Sequence, residues 1–113
     1  MKKLFFTLLM LVSVPLFLMA HPPKKVTVTY NNETKKLNVI AIHPVKDVND
    51  HYIKLISISV DDKEVMTIKP TKQDNNKSES VDVAVPEIVK GCKVTVKAVC
   101  NKFGSKTTSI TIK

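Results

Sequence analysis

The chain has no arginine and no tryptophan, and only 2 of its 113 residues are glycine. Without arginine there is no planar guanidinium fork for bidentate phosphate recognition, and nucleic acid is not an expected partner. Two glycines cannot build a Gly-rich phosphate-binding loop, and no Ser-His-Asp set can be singled out. Aromatic residues are scarce: past position 20 there are only Tyr30, Tyr52 and Phe103. No internal repeat and no helical periodicity longer than a turn is readable. A long apolar run occurs once, at the very start.

That run extends from Leu4 to Met19 behind Lys2 and Lys3 and ends at Ala20. A charged head, an apolar stretch and a small residue read as a secretory signal peptide over 1–20. The run is short for a membrane span, and Pro15 interrupts it. No cysteine follows the cleavage point to carry a lipid. The expectation is export to the periplasm or the medium, with no stable membrane anchor once the segment is removed. The remainder, 21–113, suffices for one small domain with one core. It keeps 16 of the 18 lysines against 10 acidic residues, scattered along the chain as a solubilising surface would scatter them.

The remainder is rich in Val, Ile and Thr, which suit a pleated, half-buried surface. Val26, Val28 and Tyr30 alternate with polar residues, as do Val94, Val96 and Ala98 between Cys92 and Cys100. Leu37, Val39 and Ala41 share one face of another segment. From His51 to Val60 the phase slips, with Ile53 and Leu55 on one parity and Ile56, Ile58 and Val60 on the other; a bulge explains such a slip. Shorter strands are expected at Glu64 to Lys69, Ser80 to Val85 and around Thr108 to Ile112. Turn-forming clusters separate these runs. About seven short strands in such a length predict an all-β, immunoglobulin-like antiparallel β-sandwich.

Two cysteines in an exported chain ordinarily suggest a disulfide. Cys92 and Cys100, however, bound one strand and would stand roughly 27 Å apart at about 3.3 Å per residue, too far to pair. Cys92 suits a buried apolar role; Cys100 runs into the Asn101 to Gly104 turn, a place that suits a functional group. The three histidines, His21, His43 and His51, also fall at strand ends. A sandwich gathers strand ends at its poles, and imidazole with thiolate suits iron, copper or zinc.

Taken in order, His21-Pro22-Pro23, His43-Pro44, His51-Tyr52-Ile53 with Leu55-Ile56, and Cys100-Asn101 with Gly104 resemble the ferrous-iron domain of the desulfoferrodoxin and superoxide reductase family. The resemblance spans essentially all of 21–113. It implies an immunoglobulin-like fold and mononuclear non-haem iron held by His21, His43 and His51 in a plane, with Cys100 as axial ligand. The implied activity is one-electron reduction of superoxide to peroxide, supplied by an external electron donor. The departures are specific. Phe103 stands where the family has a fourth histidine, and Leu55 and Lys106 replace its tryptophans. The lysine that precedes the family's first histidine is here Ala20, with Lys24 and Lys46 as weak catalytic substitutes. Activity is therefore expected to be altered or lost. Two other readings stay open: a copper site using N-terminal His21, and a non-catalytic immunoglobulin-like binding module with a degenerate metal site. The blue-copper version fails, because no histidine or methionine follows Cys100.

Overall fold

A computed structural model describes residues 21–113; the signal peptide expected over 1–20 lies outside the described residues. Within them are seven strands: β1 Lys25–Asn31, β2 Lys36–Ile42, β3 Ile53–Val60, β4 Lys63–Ile68, β5 Ser78–Ala84, β6 Lys93–Cys100 and β7 Ser105–Thr111. They pair antiparallel in two sheets, ordered β1-β2-β5 and β4-β3-β6-β7. The third strand crosses to the second sheet and the fifth returns to the first, which makes an immunoglobulin-like β-sandwich. Among the described residues no helix is long and apolar enough to cross a membrane.

Alternation builds the core. Leu37, Val39 and Ala41 of β2 and Val94, Val96 and Ala98 of β6 are fully buried, and Val26 and Val28 of β1 close over them. The expected phase slip in β3 is a bulge: Ile53 faces Cys100 while Leu55 faces Val99, so Lys54 is the extra residue. The bulge lets Ile53 join Ile56 and Ile58 on the buried face despite its odd spacing. The β3–β4 connection is a tight turn with positive φ at both Asp61 and Asp62, the conformation that matches the twist of a two-residue hairpin. Asp61 also accepts the Lys93 N–H at 2.9 Å, tying this turn to the start of β6.

Strand ends differ from the sequence expectation by one to three residues. The last strand, β7, begins at Ser105 rather than Thr108, pairing Ser105 with Val99, and β5 begins at Ser78 rather than Ser80 because Ser78 and Glu79 continue the ladder opposite Ile42 and Ala41. Glu79 has the same parity as Val81 and Val83 and is buried. Both cysteines are free, Cys92 inside the core cluster and Cys100 buried outside it.

Candidate metal centre

The periodicity that fills the core also builds one pole of the sandwich. His43 follows Ala41 by two residues, so it carries the inward parity of β2 one step beyond the strand. Cys100 ends β6 with the same inward parity, two residues after Ala98, and His51 precedes buried Ile53 by two. The antiparallel register places these ends together: Lys25 at the start of β1 pairs with Ile42, and Ile53 pairs with Cys100. His43 is fully buried, while His21 and His51 are half-buried.

The N-terminal segment completes the pole. Lys24 N–H donates to Ile42 O at 2.8 Å, which extends the β1–β2 ladder past the strand. Pro23 is buried, and Pro22 lies against Gly104, where an added Cβ would approach Pro22 Cβ to 2.8 Å. Gly104 also has φ +82, so this position needs glycine twice over. Docking Pro22 there sets His21 over the pole.

The three rings meet with centroids 4.9 Å (His21 to His43), 5.1 Å (His21 to His51) and 4.7 Å (His43 to His51) apart. One nitrogen from each lies within 4.8 Å of the other two. Nitrogens bound at about 2.0–2.1 Å stand roughly 3.0 Å apart at right angles and roughly 4.2 Å apart on opposite sides of an ion, so the rings must close by up to an ångström or more for all three to share one ion. Cys100 Sγ is 3.1 Å from His51 Nε2. That equals, to rounding, the roughly 3.1 Å separating a nitrogen and a sulfur bound at right angles at about 2.1 and 2.3 Å. The three imidazoles form a donor set for a transition metal of borderline character rather than for calcium or magnesium, while the Cys100 thiol lies against His51 and outside the group of atoms that all meet within 4.8 Å. The structure therefore offers a possible metal-binding histidine cluster, and the donors alone do not choose among iron, copper and zinc.

The surroundings hold these groups in place. Asn101 clamps the His51 segment to the Cys100 turn: its Oδ1 accepts Tyr52 N–H at 2.9 Å, its Nδ2 donates to Asp50 O at 2.9 Å, and its own N–H donates to Tyr52 O at 3.0 Å. Lys102 N–H donates to Cys100 Sγ at 3.3 Å, and Cys100 N–H donates to Gly104 O at 2.9 Å. His51 is held below the ordinary imidazole range, first by burial, then by the His43 and His21 rings and the Lys102 ammonium, with Asp50 opposing. The neutral ring that results is the form a metal requires.

Of the residues singled out from sequence, His21, His43 and His51 come together, with Cys100 against His51. Lys24 and Lys46 are both exposed. The cation felt at His51 is instead Lys102, whose Nζ lies 3.4 Å from Asp50 Oδ1. Phe103 is in the Cys100 turn but 58% exposed. Two contributors escaped sequence reasoning. Lys102 adjoins Cys100-Asn101 in an exposed turn with no pattern to mark it, and Gln73 lies in a polar stretch with no periodicity. Gln73 is buried and hydrogen-bonded to His43. Comparison with known proteins finds no family model and no curated protein that matches this chain.

Proposed function

We propose that the protein is an exported mononuclear non-haem iron protein of the superoxide-reductase type, in which His21, His43, His51 and Cys100 hold the metal. The observation that carries this reading is the 3.1 Å contact of Cys100 Sγ with His51 Nε2 beside the three-histidine cluster. The motif order His-Pro, His-Pro, His-Tyr-Ile, Cys-Asn supports iron over the other metals such donors accept. Bound iron would supply a one-electron couple for reducing superoxide to peroxide. The chain's own part is to bind and orient. Asn101 and the Lys102 N–H fix the sulfur and the His51 loop, Gly104 and Pro22 seat His21, and the exposed Lys102 ammonium beside His51 attracts an anionic substrate. Lys102 thus takes the role expected of Lys24 or Lys46. The cycle needs an external one-electron donor. Phe103 supplies no nitrogen, so the site has one imidazole fewer than the family it resembles.

The test is to offer ferrous iron, copper and zinc to the protein under reducing, anaerobic conditions, remove loosely held metal, and count what stays. One iron per chain, together with superoxide consumption matched by peroxide formation, is the expected outcome. Iron without superoxide consumption would keep the centre and remove the activity. Preferential retention of copper, or of no metal, would overturn the iron reading in favour of the copper site or the plain binding module.

A further inference from the structure

We propose that Gln73 is a positioning residue that locks His43 in the tautomer with its proton on Nδ1, so that the bare Nε2 faces the cluster. The inference rests on reading the cluster as a metal centre, but its first consequence is visible without metal. Gln73 is 1% exposed, and both polar atoms of its side chain are hydrogen-bonded. Its Nε2 donates to His43 O at 2.7 Å and to Asn75 O at 2.9 Å. Carbonyls only accept, so these two contacts fix which end of the amide is NH2. Oε1 must then be the atom 2.8 Å from His43 Nδ1, and a carbonyl oxygen there requires a proton on Nδ1.

A neutral ring carries one proton, so His43 Nε2 is left with a lone pair. That lone pair lies 3.3 Å from the His21 carbonyl oxygen, another acceptor. Two acceptors at this distance are reconciled either by a second ring proton donated to the His21 carbonyl or by a cation beside them, and the NMR measurement below separates the doubly protonated ring from the neutral, metal-ready one. Gln73 also joins the loops that shape the pole. Its N–H donates to Val48 O at 3.0 Å in the loop between His43 and His51, while His43 N–H and Val45 N–H donate at 2.8 Å to Lys77 O and Asn76 O. Ring orientation and tautomer thus rest on one side chain 30 residues from His43, and loop position on the main-chain bonds around it. Orienting partners of this kind typically change metal affinity by 10- to 100-fold when removed.

The first measurement uses the unaltered protein without metal. Long-range ¹H–¹⁵N NMR at about pH 8, above the ordinary histidine pKa of about 6.5, reads the tautomer of His43. An Nδ1–H ring is expected; an Nε2–H or doubly protonated ring would overturn the proposal whether or not any variant folds. The second is titration of the unaltered protein and of Gln73→Met, which keeps bulk but loses all three hydrogen bonds, with ferrous iron and with cobalt(II). A folded Gln73→Met should bind roughly 10- to 100-fold more weakly, and equal affinity would contradict the positioning role. Failure of the unaltered protein to bind either ion while His43 shows Nδ1–H would sink the metal reading and leave the tautomer assignment standing.

Discussion

A carboxylate on the inner face of a strand has few ways to be satisfied, and Glu79 shows one of them. It accepts Asp74 N–H at 2.9 Å, while Asp74 in turn accepts Ser80 N–H at 2.9 Å. Burial pushes the Glu79 carboxyl above the ordinary range; the Asp74 N–H hydrogen bond opposes this and the Asp74 charge adds to it. The folded state therefore holds this proton to higher pH than the unfolded state does. Stability from the neutral carboxyl is fully present below the unfolded pKa of about 4.3 and is lost as pH rises through the folded value. Glu79→Gln keeps an acceptor for Asp74 N–H and has no charge to expose. It should melt a few degrees above the unaltered protein at pH 7 and lose that advantage near pH 4. Thermal melts at the two pH values check this, and an unchanged difference would contradict it. At this scale the sequence was uneven. Parity marks His43 and Cys100, because the rule that buries Ala41 and Ala98 also aims residues two positions on. Gln73 and Glu79 are polar side chains in polar surroundings, and they are buried by loop packing that no local pattern reports.

At the scale of elements, the pole depends on close approach as much as on ligands. Gly104 carries a positive φ and has Pro22 against it. Gly104→Ala would place a methyl where Pro22 sits and hold a side chain in a left-handed conformation, at a cost of about 1–3 kcal/mol. We expect a lower Tm together with weaker metal binding, because displacing Pro22 moves His21. A variant that binds metal as tightly as the unaltered protein would show that His21 is not a ligand. The β3 bulge works on the same pole by returning Ile53, and with it His51, to the inner face. The phase slip made that bulge legible in the sequence. Its position at Lys54 was not, since apolar residues on both parities leave several places for the extra residue. The ends of β5 were hidden for a similar reason: Ser78-Glu79-Ser80 reads as turn chemistry until Ile42 and Ala41 are there to pair with it.

For the whole molecule, core and pole are separable. Leu37→Ala removes a fully buried side chain and should cost about 2–5 kcal/mol in chemical denaturation, leaving the metal donors unaltered in whatever fraction remains folded. Cys92→Ala is the matching control for sulfur. Cys92 belongs to the core cluster, so its loss should cost about 1 kcal/mol and leave metal content unchanged; a fall in metal content would place Cys92 at the site. The sandwich itself was readable because seven alternating runs leave few ways to bury their apolar faces. The meeting of three imidazoles at one pole, with a thiol against one of them, was readable only as a tendency of strand ends, and loops and a buried glutamine turn that tendency into distances. The measurement that bears most directly on the central claim is X-ray absorption at the metal edge of iron-loaded protein, unaltered and as Cys100→Ser. Expected are nitrogen scatterers at about 2.0–2.1 Å and one sulfur at about 2.3 Å, the sulfur alone vanishing in Cys100→Ser. A unaltered protein without the sulfur shell, or a sulfur shell that survives the substitution, would contradict a metal centre built from His21, His43, His51 and Cys100.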